Sequence, residues 1–210
     1  MNVEFDQVLA RYKQRMADED AVWKTADPGS LFARRDEFLL SVGEDVARFL
    51  HTLTIARGGT TILELGTSYG YSTLFLADAA RQNGGKLLTL EIDEKKQDFA
   101  KRQISDAGLG DYVEWLLGDA TAVLPSLTGP FDLVLIDLWK ELYVPCFDLI
   151  RPKMAENGVI AADNMIEPAM ARSEARAYRA AVRSAEELQS VLLPIGSGIE
   201  LSCVWRKDPY

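Results

Sequence analysis

From residue 58 onward the chain repeats one pattern: a short apolar run, a turn, and then a longer stretch with apolar residues at helical spacing. This alternation narrows the fold more than any other feature. Apolar runs that return through helices belong to a parallel sheet covered by helices on both faces. The pattern predicts strands at about 61–66, 86–91, 112–117, 132–137 and 157–162, and helices at about 71–82, 94–107, 120–126, 141–151 and 169–187. Two last strands, at about 189–194 and 199–206, are joined by Pro194-Ile195-Gly196-Ser197-Gly198 and are expected to pair antiparallel.

Before residue 58, Val8, Leu9, Tyr12 and Met16 predict an amphipathic helix over 3–17. Phe38, Leu39, Val42, Val46, Phe49, Leu50 and Leu53 form one stripe and predict a second over 35–55. The segment 17–34 between them is polar and broken by Asp27-Pro28-Gly29, yet holds Trp23, Leu31 and Phe32. It reads as an ordered loop, a plain connector or a lid. The 210 residues are expected to form one α/β domain, with N-terminal helices and lid over 1–57 and the core over 58–210.

With 32 acidic and 23 basic residues the net charge is −9, which argues against a nucleic-acid surface and suits a small-molecule partner. Cys146 and Cys203 sit in apolar segments without a spaced framework, the usage of free thiols in a reducing compartment. No basic leader or apolar run of membrane-spanning length is present, so a cytoplasmic protein off the membrane is expected, as monomer or homodimer.

The first strand runs through Glu64-Leu65-Gly66-Thr67-Ser68-Tyr69-Gly70 into a helix at Tyr71-Ser72, a turn whose amides suit a nucleotide-like ligand. Gly66-Thr67-Ser68-Tyr69-Gly70 also matches a hydrolase nucleophile elbow, but that site needs a histidine after the serine, and the only histidine is His51. The dinucleotide fingerprint Gly-x-Gly-x-x-Gly is absent. A third ligand class is S-adenosylmethionine, a zwitterionic amino acid joined to a nucleoside. Glu64 would face its ammonium, the helix start at Ser72 its carboxylate, Glu91 its ribose hydroxyls, and Asp119-Ala120 its adenine. Acids at the ends of successive strands point into one crevice.

The next strand ends carry Asp137-Leu138-Trp139-Lys140 and Asp163-Asn164. Neighbouring strands lie about 4.8 Å apart, so Asp137, Asp163 and Asn164 can converge on one hard cation and leave positions for water and substrate, the usual way Mg²⁺ is held.

In Glu64-Leu65-Gly66, Gly70-Tyr71-Ser72, Glu91-Ile92, Asp137-Leu138-Trp139-Lys140-Glu141-Leu142-Tyr143 and Ala162-Asp163-Asn164-Met165-Ile166-Glu167-Pro168 the sequence resembles the cation-dependent O-methyltransferases, the catechol enzymes most of all. The resemblance covers roughly residues 35–206. It implies a class I methyltransferase fold, a seven-stranded sheet with a reversed last strand. It also implies methyl transfer to one hydroxyl of a vicinal diphenol. By the same resemblance Asp137, Asp163 and Asn164 are Mg²⁺ ligands, with Asp137 also at the cofactor and Asn164 also at the substrate; Lys140 is the general base, and Trp139 and Pro168 flank the substrate ring. Asp119-Ala120 is closer to the caffeoyl-CoA and bacterial members, which keeps a larger polyphenol substrate open, beside an inactive nucleotide-binding module.

Other signals have bland readings. His51 lies beside an apolar stripe and reads as structural. Arg172, Arg176, Arg179 and Arg183 read as a solvated face, with a basic stripe for an acyl-CoA as the alternative. Glu200 is predicted inside the last strand, outside the site, and Trp23 is expected to pack.

Overall fold

A computed structural model describes residues 2–25, 27, 29 and 34–205. The N-terminal helix α1 (Val3–Thr25) runs past its predicted end at residue 17. Side-chain pairs one turn apart carry it on, Gln14 to Asp18 and Arg15 to Glu19, and no helix breaker intervenes before Asp27-Pro28. Residues 17–25 are therefore helix, not loop; Leu31 and Phe32 of the expected lid lie outside the described residues.

The second helix starts later than its apolar stripe suggests. A 3₁₀ turn at Arg35–Glu37 leads into an extended strap, and α2 covers Glu44–Arg57. Phe38, Leu39 and Val42 are buried from the strap, so burial alone imitated a helical period. Gly43, at φ +85°, redirects the chain, and Glu44 and Asp45 then sit favourably in the first turn.

The core follows as β1 (Thr61–Leu65), α3 (Tyr71–Asn83), β2 (Lys86–Glu91), α4 (Glu94–Asp106), β3 (Val113–Leu117), α5 (Ala120–Val123), β4 (Phe131–Ile136), α6 (Tyr143–Ile150), β5 (Met154–Ala162), α7 (Arg172–Ser184), β6 (Leu188–Leu193) and β7 (Ile199–Val204). The predicted helix over 120–126 is split, its second half a 3₁₀ turn at Leu124–Ser126 that contains Pro125. The predicted helices over 141–151 and 169–187 likewise have 3₁₀ turns at Lys140–Leu142 and Ala169–Ala171 before α6 and α7.

The seven strands form one sheet in the order β3-β2-β1-β4-β5-β7-β6. All are parallel except β7, which runs antiparallel to both β5 and β6. This is the class I methyltransferase architecture that the sequence implied. The order reverses between β1 and β4, and at such a switch point the crevice beyond the carboxyl ends of the strands receives ligands. Strand periodicity divides the core. Ile62, Leu133 and Leu135 join Leu50, Leu74 and Phe75 on one face, whereas Leu63, Leu65, Val134 and Ile136 join Phe147, Tyr178 and Val182 on the other. Cys146 and Cys203 are free thiols. Among the described residues no helix is long and apolar enough to cross a membrane.

Candidate active site

The turn after β1 is fixed by backbone contact. Gly66 has φ +101°, and a Cβ there would lie 2.1 Å from the carbonyl oxygen of Asp137, so glycine alone fits. The amides of Gly66 and Thr67 donate to Leu90 O at 3.0 and 3.1 Å, and the Asp137 amide donates to Leu65 O at 2.9 Å, tying the ends of β1, β2 and β4 together. Gly70, at φ +89°, caps α3; a Cβ there would lie 2.8 Å from Ala100 Cβ and 3.0 Å from Tyr12 Oη. The amides of Tyr71, Ser72 and Thr73 precede the first intrahelical bond, from Leu74 N to Gly70 O, which leaves an amide-rich helix start. Ser68 sits in the left-handed region at φ +47° and donates its amide to Glu91.

Glu64 is fully buried below this helix start, where its carboxylate accepts hydroxyls from Ser72 and Thr73 at 2.6 Å each and from Thr89 at 2.5 Å. Burial, against those hydrogen bonds and with the charge of Asp137, pushes its pKa up to about 7. Glu91 accepts amides from Ser68 at 2.7 Å, Ile92 at 2.9 Å and Asp93 at 3.0 Å, which hold its carboxylate at the end of β2. Asp119 caps α5: its Oδ1 accepts from Thr121 N, Thr121 Oγ1 and Ala122 N. These bonds, that from the Thr121 hydroxyl foremost, hold its pKa below the ordinary value. Ala120 follows as a buried residue.

On the other side of the crevice, Ile136 pairs with Ala162, so Asp137 and Asp163 follow directly on adjacent strands. Asp163 is 1% exposed, and its Oδ1 is buried with no hydrogen-bond partner. Burial raises the pKa of both carboxyls; the charge of Asp137 raises Asp163 further, and Lys140 opposes the shift. Asn164 has φ +54° and accepts at Oδ1 a bond of 3.0 Å from Lys140 Nζ. The ammonium of Lys140 also donates to Tyr143 Oη, whose own proton goes to Asp163 O at 3.2 Å. Burial lowers the pKa of Lys140. Tyr143 is the residue that sequence reasoning gave no role; its place three residues after Lys140, across one helical turn, was the available signal. Among the described residues no group of three or more His, Cys, Asp or Glu is gathered for a metal. The donor set here is two carboxylates and an amide, and a buried carboxylate oxygen without a partner fits a hard cation well.

The N-terminal layer covers the turn after β1. Tyr12 Oη donates to Tyr69 O at 2.6 Å, and the Arg15 guanidinium lies 3.9 Å over the Tyr69 ring while donating to Glu37 O at 3.0 Å. Glu19 accepts the Leu39 amide at 2.9 Å, so α1 holds the strap onto the turn. Trp23 packs 5.1 Å from Phe38. Trp139, 43% exposed, lies at the mouth under the guanidinium of Arg35. Pro168, preceded by a cis bond, is exposed beyond β5.

The arginine stripe of α7 is not simply a solvated face. Arg179 and Arg183 donate to buried Glu200 on β7 at 3.0 and 3.1 Å, Ser190 donates to the same carboxylate, and Arg172 pairs with Glu167 at 3.3 Å. Glu200 is thus an internal anchor outside the site. His51 lies 2.9 Å from Asp78, inside a network with Arg81 and Gln82, and acts structurally as expected.

A methyltransferase-domain profile matches residues 63–165, the span from β1 through the Asp163-Asn164 pair. The chain is 35% identical over 157 residues to a catechol O-methyltransferase of Niastella koreensis, covering 73% of this chain and 70% of that one. It is 37% identical over 128 residues to a catechol O-methyltransferase of Mycobacterium tuberculosis, covering 60% and 58%. Among solved structures, the O-methyltransferase TomG of Streptomyces achromogenes, determined in complex with SAM, superimposes with a TM-score of 0.75 at 25% identity over 84% of this chain and 87% of its own. The chain therefore belongs to the S-adenosylmethionine-dependent class I O-methyltransferase family, close to the catechol O-methyltransferases.

Proposed function

We propose that the protein methylates one hydroxyl of a catechol-type small molecule, with Mg²⁺ or another divalent cation held by Asp137, Asp163 and Asn164. The observation that carries this reading is Asp163 Oδ1, buried and unpartnered beside Asp137, with Lys140 braced on Asn164. A divalent cation bound there supplies Lewis acidity to phenolic oxygens. Asp163 is held rigid by its backbone bond to Ile136, and Asn164 is turned toward Lys140 by its left-handed backbone. Lys140 takes the phenolic proton at Nζ; burial favours the neutral amine that a base requires, and Tyr143 fixes its position. Trp139 and Pro168 flank the aromatic ring.

Across the crevice, the turn from Gly66 to Gly70 and the helix start at Ser72 receive the amino-acid part of the cofactor, with Asp137 at the junction of the two halves. Glu64, already bonded to Ser72 and Thr73, places its charge beneath the ammonium through these hydroxyls. Glu91 receives the ribose hydroxyls, and Asp119 with Ala120 borders the adenine. Reaction then depends on in-line alignment of acceptor oxygen and sulfonium methyl, and on exclusion of water.

An acyl-CoA substrate finds little support in α7, because Glu200 holds Arg179 and Arg183. The test is to incubate the protein with S-adenosylmethionine, Mg²⁺ and a panel of catechol, caffeate, caffeoyl-CoA and a monophenol, and to detect methyl transfer by mass. Methylation of the small diphenols is expected. Transfer to none of the diphenols would sink the substrate class, and transfer to caffeoyl-CoA alone would move the reading to the larger substrate.

A further inference from the structure

Lys140 Nζ donates to Tyr143 Oη and, at 3.0 Å, to Asn164 Oδ1. The direction of each bond is fixed from its far side. Tyr143 commits its own proton to the carbonyl oxygen of Asp163 at 3.2 Å, an atom that only accepts, so the phenol oxygen faces Lys140 as an acceptor. Asn164 turns its amide oxygen to the same nitrogen from a backbone held at φ +54°. A lysine nitrogen has three positions besides its bond to Cε, and these contacts direct two of them, as N–H donors, into the protein. The third position holds the lone pair of the neutral amine, or the added proton of the ammonium.

We propose that Tyr143 is a positioning residue whose hydroxyl fixes the direction of the Lys140 lone pair, so that the base meets the phenol already aimed. The proposal rests on the catechol reading above. In the step it serves, the phenolic proton passes to the Nζ lone pair, and the electron pair of the broken O–H bond stays on the oxygen that attacks. The hydroxyl has this part and the ring does not. The ring is buried, packs edge-on 5.5 Å from Tyr178 and lies 3.9 Å from Lys140 Nζ, contacts that a phenylalanine keeps. Tyr143→Phe therefore removes aim and leaves packing.

The experiment measures single-turnover methylation of catechol and of 4-nitrocatechol by the wild type, Tyr143→Phe, Lys140→Met and the double variant, each with S-adenosylmethionine and Mg²⁺. 4-Nitrocatechol ionises near neutral pH by itself, so its methylation leans little on a base. With catechol the rate is expected to fall about ten- to hundredfold in Tyr143→Phe, the size of a misplacement of about 1 Å. With 4-nitrocatechol the fall is expected to stay within about threefold, because a base contributes little to an acceptor already ionised. In Lys140→Met the tyrosine substitution should add no further loss, since no lone pair remains to be aimed. Equal losses on both substrates, as a disturbance of Asp163 through its carbonyl would give, overturn the proposal. A further loss in the Lys140→Met background overturns it too.

A second arm needs no turnover. In protein carrying ¹³C at lysine Cε, the two Hε protons of a side chain held in one conformation resonate apart, and those of a mobile one coincide. The Lys140 signal, identified by its loss in Lys140→Met, is expected to be split in the wild type and averaged in Tyr143→Phe. If neither diphenol is methylated, the catechol reading fails on its own account and the spectrum still decides Tyr143. A split that is lost in the variant supports the positioning role; a Lys140 signal alike in the two proteins overturns it.

Discussion

Asp137 and Asp163 stand side by side because Ile136 and Ala162, the residues just before them, are partners in the ladder between β4 and β5. Two buried carboxyls so placed raise each other's cost of ionisation, which a shared cation relieves. Asp137→Ala is therefore expected to lower turnover by on the order of a thousandfold or more, the several kcal/mol that a Lewis acid supplies. The fold should survive. Far-UV circular dichroism should match the wild type, and the rise in Tm on adding Mg²⁺ should vanish; a variant that still turns over at a near-normal rate would misplace the cation.

Lys140 is held between Tyr143 Oη and Asn164 Oδ1. Lys140→Met is expected to reduce kcat by roughly a hundred- to ten-thousandfold, the range for a lost general base. Arginine at the same position should not restore the rate, because a guanidinium does not give up its proton. Calorimetric binding of S-adenosylhomocysteine should remain close to wild type, which separates the base from the cofactor half.

Glu64 gives a pH signature. Its folded pKa, pushed up to about 7, lies above the roughly 4.3 of an unfolded glutamate. The unfolded chain thus releases this proton first, so the contribution to stability is complete below about pH 4.3 and is lost as pH rises through about 7. Urea unfolding of the cofactor-free protein at pH 5 and pH 8 should show this loss, at most about 3 kcal/mol. Glu64→Gln should lack it. A stability difference between wild type and variant that does not change with pH would refute the assignment.

Gly66→Ala tests the backbone contact between β1 and β4. The added Cβ would meet Asp137 O at 2.1 Å in a backbone conformation that L residues rarely adopt. A loss of at least about 2 kcal/mol is expected by denaturant titration. The same substitution should weaken both cofactor and Mg²⁺ binding, since one contact joins the two halves.

Much of this was legible in the chain. The first five strands were, because each holds an apolar run followed by or ending on a glycine or an acid, and Glu64, Glu91, Asp119, Asp137 and Asp163 stood out at or beside those ends. The boundaries of α1 and α2 were not. Phe38, Leu39 and Val42 are buried from extended chain, and burial leaves the same apolar signature whichever backbone supplies it. The supports of the site were also hidden. Thr89 reaches Glu64 and Arg35 covers Trp139 only after the chain has folded, so local periodicity carries no trace of them.

The most direct test of the central claim is catechol methylation by protein stripped with EDTA, then dialysed and resupplied with Mg²⁺. The expected result is loss of turnover on stripping and recovery on resupply, with neither response in Asp163→Asn. Undiminished methylation after complete removal of divalent cations would contradict the assignment of Asp137, Asp163 and Asn164.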